Sequence, residues 1–156
     1  MTGSKFHDEN VICINRLATR NLSIERTIEA GLVLTGSEVK SLRAKNVSLS
    51  DAYVQVKSGQ AYLVDAHIQP YKESHYFNHE SRRLRKLLLH KRQIVQLYDD
   101  TQKSGKTAIP TKMYFSKGRA KVEIGVGSGR KDHDKRAHIK EKEAKRDMDR
   151  AKKSKR

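Results

Sequence analysis

The run RRLRKLLLHKR, Arg82–Arg92, surrounds three consecutive leucines with Lys and Arg. Cations bind phosphate, and an exposed apolar side chain packs on an unstacked base, so this pattern suits RNA binding. Read as a helix, the three leucines span about 200° of arc. One must leave the core stripe, and the stripe's centre turns Leu89 outward, framed by Arg83, Arg85 and Lys86. The competing reading makes it a second core contact under a loop. Tyr53, Tyr62, Tyr71, Tyr76 and Phe77 are further stacking candidates, although on composition such residues more often serve core or cross-strand packing. Covalent chemistry has weaker support. His133-Asp134 would be an acid–base pair in a nuclease, but its surroundings lack the apolar residues to build a pocket. His67, His75 and His79 are spaced eight and four apart without a cysteine, and read as solvated histidines rather than metal ligands. No HExxH, CxxC or GxSxG pattern is present. No catalytic residue, metal or cofactor is expected.

Charge points the same way. The 156 residues carry a formal net charge of +16. Residues 128–156 hold 13 Lys/Arg against 6 Asp/Glu, a net +7, which leaves +9 on residues 1–127. A basic body with a basic tail suits nucleic acid. A membrane partner is not expected. The most apolar runs, Leu32–Leu34 and Leu87–Leu89, are too short to span a bilayer, and the tail lacks a bulky apolar face. The polar N-terminus does not read as a signal peptide. A single Cys13, set in VICI, excludes an internal disulfide and suits a buried thiol in a reducing cytoplasm.

These residues need a scaffold. Residues 1–10 read as a flexible N-terminus, 11–127 as the folded body and 128–156 as a tail, which has too little to bury to order itself when free. Val11–Ile14 is β-prone, and Asn15–Asn21 reads as a short turn or loop. Ile24–Leu34 reads as a strand with a bulge or bend at Gly31. A short helix follows, with Thr35 and Glu38 as a capping box. Ala52–Lys57 and Gln60–Ile68 form a hairpin about Ser58-Gly59, with Tyr62, Val64, Ala66 and Ile68 on one face. Ser81–Asp100 carries a helical apolar stripe. Thr107–Ser116 and Arg119–Gly127 form a second hairpin about Lys117-Gly118, with Val122, Ile124 and Val126 inward. Gly125, Gly127 and Gly129 loosen the exit into the tail. The fold class is mainly β, an OB-like closed barrel.

Four blocks then resemble one family in order and spacing. GLVLTGSEVKSLRA (Gly31–Ala44), SDAYV (Ser50–Val54), the Arg83–Leu89 run and GRKDHDKR (Gly129–Arg136) are similar to SmpB, the SsrA-binding proteins of bacteria, over about residues 11–150. The resemblance implies about six antiparallel strands, three helices and a tail that is disordered alone and helical on the ribosome. It implies a cytoplasmic, monomeric RNA-binding adaptor, not an enzyme. Such an adaptor binds the tRNA-like domain of transfer-messenger RNA (tmRNA) and brings it to stalled ribosomes for trans-translation. The implied partners are alanyl-charged tmRNA, elongation factor Tu within the ternary complex, and the ribosome at its decoding centre and empty mRNA channel.

Family RNA-contact positions map to Asn15, Arg16, Glu29, Leu88 and Lys121. Leu88 here competes with the Leu89 of the helical reading. Arg83, Arg85 and Lys86 join this set by charge. Arg20 also joins it, standing where the family often has His and able to stack through its guanidinium. Leu22 stands where an aromatic is frequent. Glu80-Ser81 replaces an Asp-Pro pair, with Ser81 a helix N-cap. Arg130, Lys131, His133, Asp134, Lys135, Arg136 and Lys140 form the implied ribosome-binding tail. The alternatives are a ribosomal or other structural RNA-binding protein, or an OB-containing nuclease.

Overall fold

A computed structural model describes residues 10–74 and 78–154. His75, Tyr76, Phe77 and the N-terminal segment 1–9 named above lie outside the described residues. Strand β1 (Val11–Ile14) leads into helix α1 (Arg16–Asn21), long strand β2 (Leu22–Leu32) and helix α2 (Gly36–Arg43). Strands β3 (Val47–Ser48), β4 (Tyr53–Lys57), β5 (Gln60–Val64), β6 (His67–Ile68) and β7 (Arg85–Leu88) follow. Helix α3 (Lys91–Tyr98) runs into a π turn, then come β8 (Thr107–Ser116), β9 (Arg119–Gly129) and helix α4 (Asp132–Ser154). Seven strands form one antiparallel sheet in the order β1-β8-β9-β2-β7-β5-β4, and β3 pairs with β6 as a separate ribbon.

Apolar residues at alternate positions put one sheet face into the core. Val122, Ile124 and Val126 of β9 are buried, with Met113 of β8 and Ile28 and Ala30 of β2. Leu42 of α2 and Leu97 of α3 cap the same cluster. Both hairpins turn as expected, on left-handed Ser58-Gly59 and Lys117-Gly118 pairs.

Several expectations are corrected. The barrel does not close by strand pairing: the sheet order ends at β1 and β4, and no ladder joins them among the described residues. The sheet curls so that β4 packs against β8. However, β1 is only four residues long and turns into α1 before it could extend a ladder. The described residues form nine strands rather than six, two of them mere two-residue pieces. Asn15–Asn21 is not loop: Asn15 caps a helical turn there, accepting from the Ala18 amide.

The largest correction falls on Ser81–Asp100. Arg85 and Leu87 are buried while Lys86 and Leu88 are exposed, a period of two. This stretch is β7, paired with β5 (Leu63 opposite Arg85) and β2 (Leu32 opposite Leu87). Leu, Arg and Lys favour helix locally, but tertiary pairing overrides so weak a preference. The helix begins only at Lys91, where Gln93 reaches back to the His90 amide. Ser81 is therefore no N-cap; its carbonyl accepts from Ile68 and Arg85.

On β5 the buried residues are Ala61 and Leu63, not Tyr62 and Val64. Asp65, at φ 57°, breaks the alternation, so Ala66 and Ile68 become buried after it. The β2 bulge lies at Ile24–Arg26 rather than at Gly31. The glycines of β9 do not loosen it. A Cβ on Gly127 would sit 1.9 Å from the Ser23 carbonyl oxygen, so glycine permits the close β2–β9 approach.

Candidate nucleic-acid interface

Strand register builds the site. Leu88 on β7 stands opposite Gly31 on β2, Gly31 opposite Lys121 on β9, and Lys121 opposite Tyr114 on β8. Laterally paired residues share a face, so these four form one row across the sheet. Glu29, two residues from Gly31 on β2, lies on that face too. Leu88 is 54% exposed. The strand's parity turns Leu88 outward and leaves Leu89 packed against the core, so the helical choice of Leu89 is reversed.

Glu29 is held on both sides. The Tyr114 hydroxyl donates to its Oε2, and the Lys121 ammonium lies 3.6 Å from its Oε1. Tyr114 is almost fully buried, and burial followed by the Glu29 hydrogen bond pushes its phenol far above the ordinary range. Tyr114 thus stays a neutral donor that fixes the carboxylate. A cleft of about 880 Å³ opens beside this group, lined also by Lys86, Lys91 and Val95. It is concave and largely apolar, and among the described residues its charged lining is Lys86, Lys91, Lys121 and Glu29. Phosphate, a base edge and a base face would each find a partner there.

Three other predicted residues have structural duties. Arg85 is fully buried: its guanidinium donates to Glu38 Oε1 at 3.2 Å, the Ala66 carbonyl at 2.7 Å and the Ser81 carbonyl at 3.1 Å. Arg83 is partly exposed and also donates to Glu38, at 2.9 Å. Burial pushes the Glu38 carboxyl up, but the Arg83 hydrogen bond, the Thr35 amide and the Arg85 charge outweigh it and hold it below its ordinary value. Asn15 is buried as well, donating at 3.0 Å to both the Leu49 and Pro110 carbonyls. It ties α1 to β8 and leaves no free side-chain group for RNA. Leu22 is buried, so its missing π-face removes nothing from an outer surface.

A second basic surface lies around α1. Arg16 and Arg20 are exposed on that short helix. The Arg130 amide donates to the Asn21 carbonyl at 2.9 Å, and α4 packs beside α1 from there. Arg16, Lys112, Lys142 and Arg146 line a separate cleft of about 430 Å³. Lys131, Arg136 and Lys140 are exposed, and Lys135 is half-buried. His133 and Asp134 approach within 3.6 Å, both open to solvent. His79 is committed inward: its ring bonds Ser37 at 2.9 Å and the Ile68 carbonyl at 2.9 Å. No group of three metal-ligating side chains occurs among the described residues.

The sequence reading missed two contributors. Glu38 appeared only as a capping residue, and its reach across 45 residues to Arg83 has no local signal. Tyr114 was not singled out at all; only a register alignment of β8 with β9 and β2 puts its hydroxyl against Glu29.

Comparison with known proteins follows the same lines. The family model described as SmpB protein matches residues 12–154. An SsrA-binding protein of Exiguobacterium sp. is 49% identical over 148 residues, 95% of each chain. One of Staphylococcus aureus (strain Newman) is 50% identical over 134 residues, 86% of this chain and 87% of its own. A solved structure described as "tmRNA-SmpB: a journey to the center of the bacterial ribosome" superposes with a TM-score of 0.65 at 40% identity, over 77% of this chain and 85% of that one.

Proposed function

The chain belongs to the SmpB family, and from that premise we propose that it is an RNA-binding adaptor of trans-translation. It binds the tRNA-like domain of tmRNA and delivers that RNA to stalled ribosomes. The observation that carries this reading is the convergence of Glu29, Leu88 and Lys121 from three adjacent strands on one exposed face. Each supplies what a folded RNA needs. Lys121 and Lys86 meet phosphate, Leu88 packs on an unstacked base, and Glu29 accepts from a base amino group. Arg16 and Arg20 extend the cationic surface around α1. Arg83 stays partly accessible, while Arg85 and Asn15 act behind the surface by holding β7 and α1 in place. Work of this kind makes and breaks no bond.

The second task belongs to α4. As a 23-residue helix it is about 34 Å long, a length that suits a channel. Its apolar content is low, so a polyanion supplies what a core would otherwise supply. In our reading it orders in the empty mRNA channel of a stalled ribosome, with Arg130, Lys131, Lys135, Arg136 and Lys140 on phosphate. His133 and Asp134 then lie near the decoding centre. Elongation factor Tu joins through the charged RNA, and one copy of this chain serves in the cytoplasm. No helix among the described residues is long and apolar enough to cross a membrane.

Affinity of the full chain for a tRNA-like RNA and for an unstructured RNA of equal length, at physiological salt, tests the first task. The adaptor reading requires a clear preference for the folded RNA. Salt dependence alone does not decide, because any phosphate contact gives it. Equal affinities overturn the reading.

A further inference from the structure

Leu88 is a ridge rather than the wall of a single cleft. A second hollow, of about 400 Å³, lies on its other side, with Gly31, Leu88 and Lys121 lining both. The new hollow is formed where α2 meets the β8–β9 hairpin: Leu34, Val39 and Phe115 give it an apolar floor. Its lining includes Arg119 and Lys121 and no acidic residue. Gly31 sets the ridge height. A Cβ there would come within 3.3 Å of the Leu88 Cβ, so glycine lets Leu88 lie close to the sheet with open space on either flank.

We propose that this second hollow is a nucleobase subsite, and that Leu88 is a wedge parting two unpaired bases of one RNA. The inference rests on the RNA-binding reading of the Glu29–Leu88–Lys121 face and adds a separate site to it. The occupant follows from continuity and charge. The hollow shares its ridge with that face, its floor suits a base's flat apolar surface, and its rim cations suit the adjoining phosphate. It is a different site from the larger cleft, where Glu29 reads a polar edge. Here no carboxylate is present, so recognition is by stacking and is tolerant of base identity.

The test uses the full chain and a tRNA-like RNA. Val39→Ser combined with Arg119→Gln makes one floor position polar and removes one of the two rim cations without touching the shared ridge. Affinity should fall about tenfold. In chemical footprints, one nucleotide protected by the parent chain should become reactive while its neighbours stay protected. Leu88→Ala should expose nucleotides on both sides. If the double variant melts early, Arg119→Gln alone carries the test, since Arg119 is exposed on the hairpin. Unchanged affinity and footprint in a folded variant would overturn the subsite. If Leu88→Ala and Lys121→Ala still weaken binding in that case, the RNA-binding reading survives. If neither of those two variants weakens binding, the broader reading fails with it.

Discussion

Residues 82–92 and the helix α4 are both dense in Lys and Arg, and they spend that charge differently. In the first, Arg85 is fully buried and Arg83 half-covered, and both are paired with the buried Glu38. Only Lys86, Lys91 and their exposed neighbours remain for a partner. In α4 nearly every side chain lies in solvent, and the ion pair Arg150–Asp147, at 3.9 Å, joins groups that are more than 70% exposed. Such a pair is worth little. Charge density along a sequence therefore does not reveal which cations a polyanion can reach. What decides is whether the fold brings an acid to them. A buried guanidinium without its carboxylate is strongly destabilising, whereas a solvated lysine can be lost almost without effect.

The sharpest way to break this contrast is to remove α4. A chain ending at Arg130 keeps the Arg130–Asn21 hydrogen bond and the whole sheet. It should fold and retain tRNA-like RNA binding, yet lose tagging on stalled ribosomes entirely. A truncated chain that does not melt cooperatively would join the two regions into one unit. Next in size is Glu38→Ala, which strands Arg85 in the core and should cost about 3–5 kcal/mol in denaturant unfolding. A loss under 1 kcal/mol would place Arg85 in contact with water. Lys121→Ala, between these regions in character, should lower RNA affinity several-fold while changing stability by about half a kcal/mol or less. A large drop in melting temperature with full affinity would make Lys121 structural.

Acidification separates the regions more gently. The Glu38 carboxyl is held below its ordinary value of 4.5 in the folded state. Its contribution to stability is therefore complete above that value and is lost as pH falls through the depressed folded one. Thermal melts from neutral pH downward should show this loss in the parent chain, and a smaller one in Glu38→Gln. Smallest of all, Met148→Ala on α4 removes a side chain that is 60% exposed, and should leave stability within about 0.5 kcal/mol.

Both hairpins were legible because left-handed Ser58-Gly59 and Lys117-Gly118 announce themselves in the residues. So was the inward face of β9, where Val122, Ile124 and Val126 alternate with polar neighbours. The strand at Arg85–Leu88 was not legible from periodicity. Four residues are too few to display a period of two, and the following helix supplied a stripe that masked it. Its parity, and so the identity of the exposed leucine, comes from pairing with β2 and β5, which lie more than twenty residues away in sequence. The family likeness supplied the separate residues of the candidate site. Its assembly into a row needs the register between four strands. The inward turn of Asn15 and Arg85 follows from partners at Leu49, Pro110 and Glu38 that no local pattern connects.

The pairing of β2 has a consequence for how the chain acquires its shape. Its two neighbours are β7, about sixty residues later, and β9, which sets Leu22 opposite Gly129. The central strand is thus among the first made, yet it stays without a partner until nearly the whole body exists. Such non-local closure makes for slow folding, on the order of milliseconds to seconds. Until then β2 is an open edge able to pair with another chain. Its polar outward positions, Ser23, Thr27 and Glu29, are well suited to keep that waiting edge soluble.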